Sequence, residues 1–194
     1  MKYVLVISAL FFSVCSHAGY QYVNSASDFK KGEVHYYLNK VDLALDNNRK
    51  LWTSDATVSA YPDQEAVRVI LAEELQRRLG GLNLLASDSA TATALFDISV
   101  NYRRSFMAGS GIMYPYVSFS FAGKDGSAAT LVSYQSQEGL LKGGGRKSIM
   151  NDQRIMFGRY KQEDERNDIA ALAALIVDAL AGIGAGLPAV IVAF

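Results

Sequence analysis

The chain has 194 residues, half of them apolar, with 19 Lys and Arg against 19 Asp and Glu and a formal net charge of zero. That balance leaves no electrostatic footprint for nucleic acid, and one cysteine cannot build a disulfide framework. The length suits a single domain whose core needs no covalent staples.

Residues 1–18 read as a secretory signal peptide. Met1-Lys2 is a short positive start, Tyr3 to Val14 an apolar run, and Ser16-His17-Ala18 a small-x-small cleavage site. Cleavage is expected between Ala18 and Gly19. The apolar run is too short to cross a bilayer as a helix. Cys15 offers a second reading, as a lipid-attachment site on the outer membrane. Lipoprotein signals place a small residue before the cysteine, whereas Val14 stands there, so cleavage after Ala18 is the favoured expectation. Removal of the leader takes away the only cysteine and leaves His35 as the one histidine. Thiolate zinc sites and cysteine nucleophiles then drop out.

Gly19 to Lys31 is polar and mixed, and is expected as a mobile arm over 19–31. A single domain with an apolar C-terminal tail is expected over 32–194. Glu33 to Leu45 reads as a strand whose apolar phase changes near Asn39-Lys40, which predicts a bulge or bend. Asp46-Asn47-Asn48 is a turn signal. Pro62, with Asp63 and Glu65 behind it, opens a helix. Its apolar stripe is Val67, Ile70, Leu71, Leu75 and Leu79, with Glu73–Arg77 and Glu74–Arg78 as i, i+4 pairs. Gly80-Gly81 ends it.

Leu82 to Ala86 follows as a short strand and Ser87 to Thr93 as a loop. Phe96, Ile98, Val100 and Tyr102 alternate with Asp97, Ser99, Asn101 and Arg103, the pattern of a strand with one buried and one wet face. Val117, Phe119 and Phe121 alternate likewise. Asp125-Gly126 marks a hairpin, with Leu131 to Gln137 returning. Gly143-Gly144-Gly145 breaks the chain, and Ile155 to Tyr160 is a weak candidate for a last strand. A second helix starts near Glu163 to Glu165, with Ile169, Leu172, Ile176, Leu180 and Ile183 on one face and mostly Ala on the other. This order predicts an α+β fold: a two-layer sandwich, with a mostly antiparallel sheet of about five strands and two helices on one face.

Chemistry is sparse. His35 has no partners for a zinc set, and no Gly-x-Ser-x-Gly elbow presents a serine. Ser110 is read as loop filler. Asp97 and Glu138 are the acids that a carboxylate hydrolase would need. Lys142 to Ser148 fails the phosphate-loop spacing and reads as a glycine-rich connection, or as a basic loop for lipid headgroups or an acidic partner. No catalytic, metal or cofactor residue is assigned. Candidate interaction residues are Arg103, beside Tyr102 and Phe106, and Tyr114 and Tyr116 around Pro115. Leu187, Ile191 and Phe194 join them from the tail. Gly182-x-x-x-Gly186 adds a small-residue pattern suited to helix contact or a homo-oligomer, while Asp178 and Pro188 argue against a membrane span; the favoured expectation for the tail is a final strand, Ala189 to Phe194, added to the sheet.

The stretch Ala66 to Tyr102, with "LAEELQRRLGGLNLL" followed by "FDISVNYRR", resembles a group of bacterial envelope accessory domains. The group includes the lipopolysaccharide-assembly lipoprotein, the curli-secretion lipoprotein and the N-terminal domain of TolB. The resemblance is architectural and carries no catalytic residues. It implies a non-catalytic accessory protein of a Gram-negative envelope, periplasmic, working by contact with an envelope complex, with peripheral membrane contact as a further expectation. A small lipid- or glycan-binding domain and a carboxylate hydrolase are the alternatives. The chain differs from most of the group in lacking a well-placed lipid-attachment cysteine.

Overall fold

The computed structural model describes residues 19–22, 34–48, 64–105, 115–143, 145–156 and 162–184. They form β1 (Gly19–Tyr22), β2 (Tyr36–Asn48), α1 (Gln64–Gly81), β3 (Ala94–Ser105), β4 (Tyr116–Lys124), β5 (Thr130–Gln135), β6 (Gly139–Leu140), α2 (Gly145–Met156) and α3 (Gln162–Ala181). The strands make one mixed sheet in the order β1-β5-β4-β3-β2, with β6 pairing β4 beside β5. This is the expected α+β arrangement of helices over one sheet face.

The apolar alternation decides which face is covered. Phe96, Ile98, Val100 and Tyr102 of β3 are at most 2% exposed, and Val117, Phe119 and Phe121 of β4 are buried beside them. Val67, Ile70, Leu71, Leu75 and Leu79 of α1 and Ile169, Leu172, Ile176, Leu180 and Ile183 of α3 complete the same core. Each large side chain buried this way contributes about 1.5–3 kcal/mol. The phase change in β2 is a bulge: Leu38 pairs with Phe96 and Lys40 with Asp97, leaving Asn39 as the extra residue.

An aromatic row crosses the covered face. Tyr36 meets Phe96 edge-on at 4.8 Å, Phe96 meets Phe121 at 5.5 Å, and Phe121 stacks on Tyr134 at 5.1 Å. Tyr20 closes the row 4.9 Å from Tyr134. Gly123 leaves room for it, because a Cβ there would lie 2.7 Å from Phe96 Cζ. Hydroxyls at both ends of the row satisfy the end of α3, whose last carbonyls have no partners within the helix. Tyr20 Oη donates to Ala179 O at 2.5 Å and Tyr36 Oη to Leu180 O at 2.8 Å, while Gly184 N donates to Tyr22 Oη at 3.1 Å. Burial pushes the Tyr20 and Tyr36 hydroxyls up from their ordinary range, so both remain protonated donors.

Several expectations need correction. Residues 19–31 are not all arm, since Gly19–Tyr22 pairs with β5; residues 23–33 lie outside the described residues. The pairing of β2 with β3 is parallel, joined across α1. There are three described helices, not two: the glycine-rich connection opens α2, and Ile155-Met156 ends that helix instead of starting a strand. Leu82 to Ala86 contributes a single parallel bridge from Leu85 to Tyr36. Arg77 turns to Glu74, not Glu73, and Arg78 joins the same carboxylate. The helix ends on Asn83, whose φ of 55° takes the left-handed position expected of a glycine. No described helix is long and apolar enough to cross a membrane.

Candidate functional site

The side chains that alternate with the core residues form the sheet's other face. Strand register arranges them in rows. Gly19, Gln135, Ser120, Ser99 and Asp42 make one row, and Gln21, Ser133, Ala122, Asp97 and Lys40 the next. Ser118, Asn101 and Ala44 form a third, and Tyr116 lies opposite Arg103 beyond it. All of these side chains are exposed or half-exposed. Most are short, so this face is low and polar, and a trough of about 440 Å³ runs over β1, β5, β4 and β3.

Charges sit at the two ends of the face and pair there. At one end Lys124 Nζ donates to Asp97 Oδ2 at 2.5 Å, and the Asn39 amide reaches Asp97 Oδ1 at 2.7 Å. Chiefly through the Lys124 hydrogen bond, then that of Asn39, the Asp97 carboxyl is held below the usual carboxylate range. Lys40 bonds Asp42 at 2.6 Å nearby. At the other end the Arg103 guanidinium lies 4.9 Å over the Tyr116 ring, and its Nη2 is 3.1 Å from Glu138 Oε1. The stacking and the ion pair fix the orientation of Arg103, a side chain otherwise rich in rotamers.

A second polar cluster lies inside the molecule. Tyr102 Oη donates to Glu165 Oε1 at 2.6 Å, and Asn151 Nδ2 to Glu165 Oε2 at 2.9 Å and, more weakly, to Asp168 Oδ2 at 3.4 Å. Ser148, Asn151, Glu165 and Asp168 are each 0% exposed. This cluster joins α2 and α3 to the C-terminal end of β3 by buried hydrogen bonds where an apolar seam would be usual. Nothing in the sequence marked it, because acids at a helix start are ordinarily exposed and favoured by the helix dipole.

Of the residues predicted from sequence, the structure brings Arg103 and Tyr116 together and adds Glu138 to them. Asp97 and Glu138 do not make a hydrolase pair. Glu138 is held at Arg103, six residues along β3 from Asp97, a distance of about 20 Å at the rise of a strand. Paired carboxylates of glycosidases lie within about 10 Å. His35 is half-buried, and its backbone is tied to Thr93 on both sides, through Thr93 Oγ1 and Thr93 N. Among the described residues no group of His, Cys, Asp and Glu is placed to hold a metal ion. Gly19 is the first residue of β1 and lines the trough. Ala18, Cys15, Ser110, Tyr114, Leu187, Ile191 and Phe194 lie outside the described residues.

No protein-family model and no curated protein matches the chain. Among solved structures it is similar to the PelC dodecamer from Paraburkholderia phytofirmans, at 18% identity over 81% of this chain and 95% of that one, with a TM-score of 0.35. It is also similar to a putative neuraminyllactose-binding hemagglutinin homolog from Helicobacter pylori, at 9% identity over 82% of this chain and 89% of that one, with a TM-score of 0.37. At these scores the likeness decides neither fold nor function.

Proposed function

We propose that this chain is an exported, non-catalytic accessory protein of the cell envelope, acting in the periplasm by protein–protein contact through the uncovered face of its sheet. The observation that carries this reading is the Arg103–Tyr116–Glu138 cluster at one end of that face. Arg and Tyr are the side chains that most often anchor interfaces, and here both are oriented before any partner arrives. The leader read from residues 1–18 supplies the compartment. Residues 185–194, read from sequence as a final strand or as an oligomerising tail, lie outside the described residues.

The test is a photo-crosslinking residue at Tyr116 in intact cells, with the exposed Glu73 on α1 as control. The reading expects one defined envelope complex captured at Tyr116 and not at Glu73, and lost in Arg103→Ala. Recovery of an uncomplexed monomer at both positions would refute it. The trough favours a second reading, a polar ligand such as a glycan. Its hydroxyls and amides, from Ser99, Ser120, Ser133, Gln21 and Gln135, match an uncharged polyol, while its Lys and Asp are already paired. Native mass spectrometry of protein from its own host expects a bound sugar mass; a clean apo mass removes this second reading.

A further inference from the structure

We infer that α2 is a membrane-surface helix whose outer face lies on a bilayer of anionic lipid. Two polar residues of the helix point inward. Ser148 and Asn151, three residues apart on one face, are fully buried, and Asn151 spends both its amide hydrogen bonds on Glu165 and Asp168. At 100° per residue the apolar Met150 lies on the opposite side of the helix. It is 44% exposed, one of three exposed large apolar side chains among the described residues.

At 100° per residue, Arg146, Lys147 and Arg154 flank Met150 on this outer face. Arg146 and Lys147 are exposed and Arg154 is half-exposed, while Lys142 is exposed in the turn just before the helix. By sequence α2 carries these three cations against one acid, Asp152, in a chain whose formal charge is zero. Positive charge is therefore concentrated where an apolar side chain protrudes.

That combination fits an interfacial helix. The long stems of Arg and Lys let their charges spread to headgroups while a central apolar side chain enters the acyl boundary. Each basic side chain near an anionic bilayer strengthens binding about fivefold. Twelve residues give a contact about 18 Å long. Among the described residues this face has no aromatic anchor or shaped pocket of the kind that a specific acidic protein would need.

Vesicle sedimentation of the full exported chain tests this, with vesicles of phosphatidylcholine alone and of phosphatidylcholine mixed with phosphatidylglycerol. Binding is expected only to the mixed vesicles, and should fall as salt shortens the screening length. R146E/K147E should weaken it at least twentyfold, and Met150→Gln should weaken it with the charge of the face unchanged. Circular dichroism and the melting temperature report whether each variant keeps its fold. Equal binding to both vesicle types, no binding to either, or a folded R146E/K147E that binds as well as the parent would each overturn the inference. The absence of vesicle binding would leave the Tyr116 crosslink untouched, so the two proposals fail separately.

Discussion

Removing the Tyr102 hydroxyl offers the sharpest test of how the interior is held together. Tyr102 Oη donates to Glu165 Oε1 at 2.6 Å, and both side chains are fully buried. Tyr102→Phe keeps the ring and its packing and deletes this one donor. Taking a donor away from a buried acceptor costs about 1–3 kcal/mol. For a domain of this size each kcal/mol moves the melting temperature by about 2–4 °C, so a drop of roughly 2–12 °C is expected. Tyr36→Phe is the internal standard, because its hydroxyl serves a neutral acceptor, Leu180 O, at 2.8 Å. A neutral bond contributes about 0.5–1.5 kcal/mol, so this variant should lose less. Urea unfolding followed by far-ultraviolet circular dichroism measures both, with an unchanged slope as the sign that compactness is unaltered. Pairing Tyr102→Phe with Glu165→Gln in a double-mutant cycle should recover most of the loss as coupling. A Tyr102→Phe cost below about 0.5 kcal/mol, or one smaller than that of Tyr36→Phe, would show that this hydrogen bond does not hold the interior together and refute the reasoning.

Three other outcomes follow from single features. Asp97 is held below the usual carboxylate range in the folded state, so its stabilisation is full above the unfolded value near 3.9 and fades as pH falls through the lower folded value. Lys124→Met should therefore cost a few tenths to about 1 kcal/mol at neutral pH and nothing at strongly acid pH, since the pair is partly exposed; urea midpoints that differ equally at both pH values would contradict this. A Cβ at Gly143 would lie 2.8 Å from Ala171 Cβ. Gly143→Ala should cost about 1–3 kcal/mol, and Ala171→Gly in the same chain should relieve much of that in thermal melts. Ala128 holds a φ of 66° in the β4–β5 turn. Ala128→Gly should gain about 0.5–1 kcal/mol, the left-handed penalty less the added unfolded-chain entropy, and a loss of stability would show that the turn does not impose this conformation.

The elements with a clean period are legible in the sequence. All five residues of the α1 stripe are buried, as are the five of α3 and the inward residues of β3 and β4. Even the β2 bulge showed, because an inserted residue reverses the apolar phase of everything after it. What did not show were features without a local period. Antiparallel and parallel neighbours leave the same alternation on a strand, so β2 and β3 gave no sign of their parallel pairing. The helix α2 stayed hidden because its inner residues are Ser148 and Asn151, which read as surface until Glu165 and Asp168 are known to face them. The contact cluster was half visible. Arg103 and Tyr116 could each be named, but their adjacency depends on the register across a loop and could not be counted from sequence.

The tyrosine hydroxyls at the end of α3 have a consequence for how the molecule breathes. The edges of a sheet are ordinarily its first parts to open, each on its own. Here the two edge strands, β1 and β2, both reach the last carbonyls of the same helix. Opening either edge also uncaps α3, so the three should open as one cooperative unit. In hydrogen exchange, the amides of Gly182 and Gly184 would then lose protection in step with those of β1 and the start of β2.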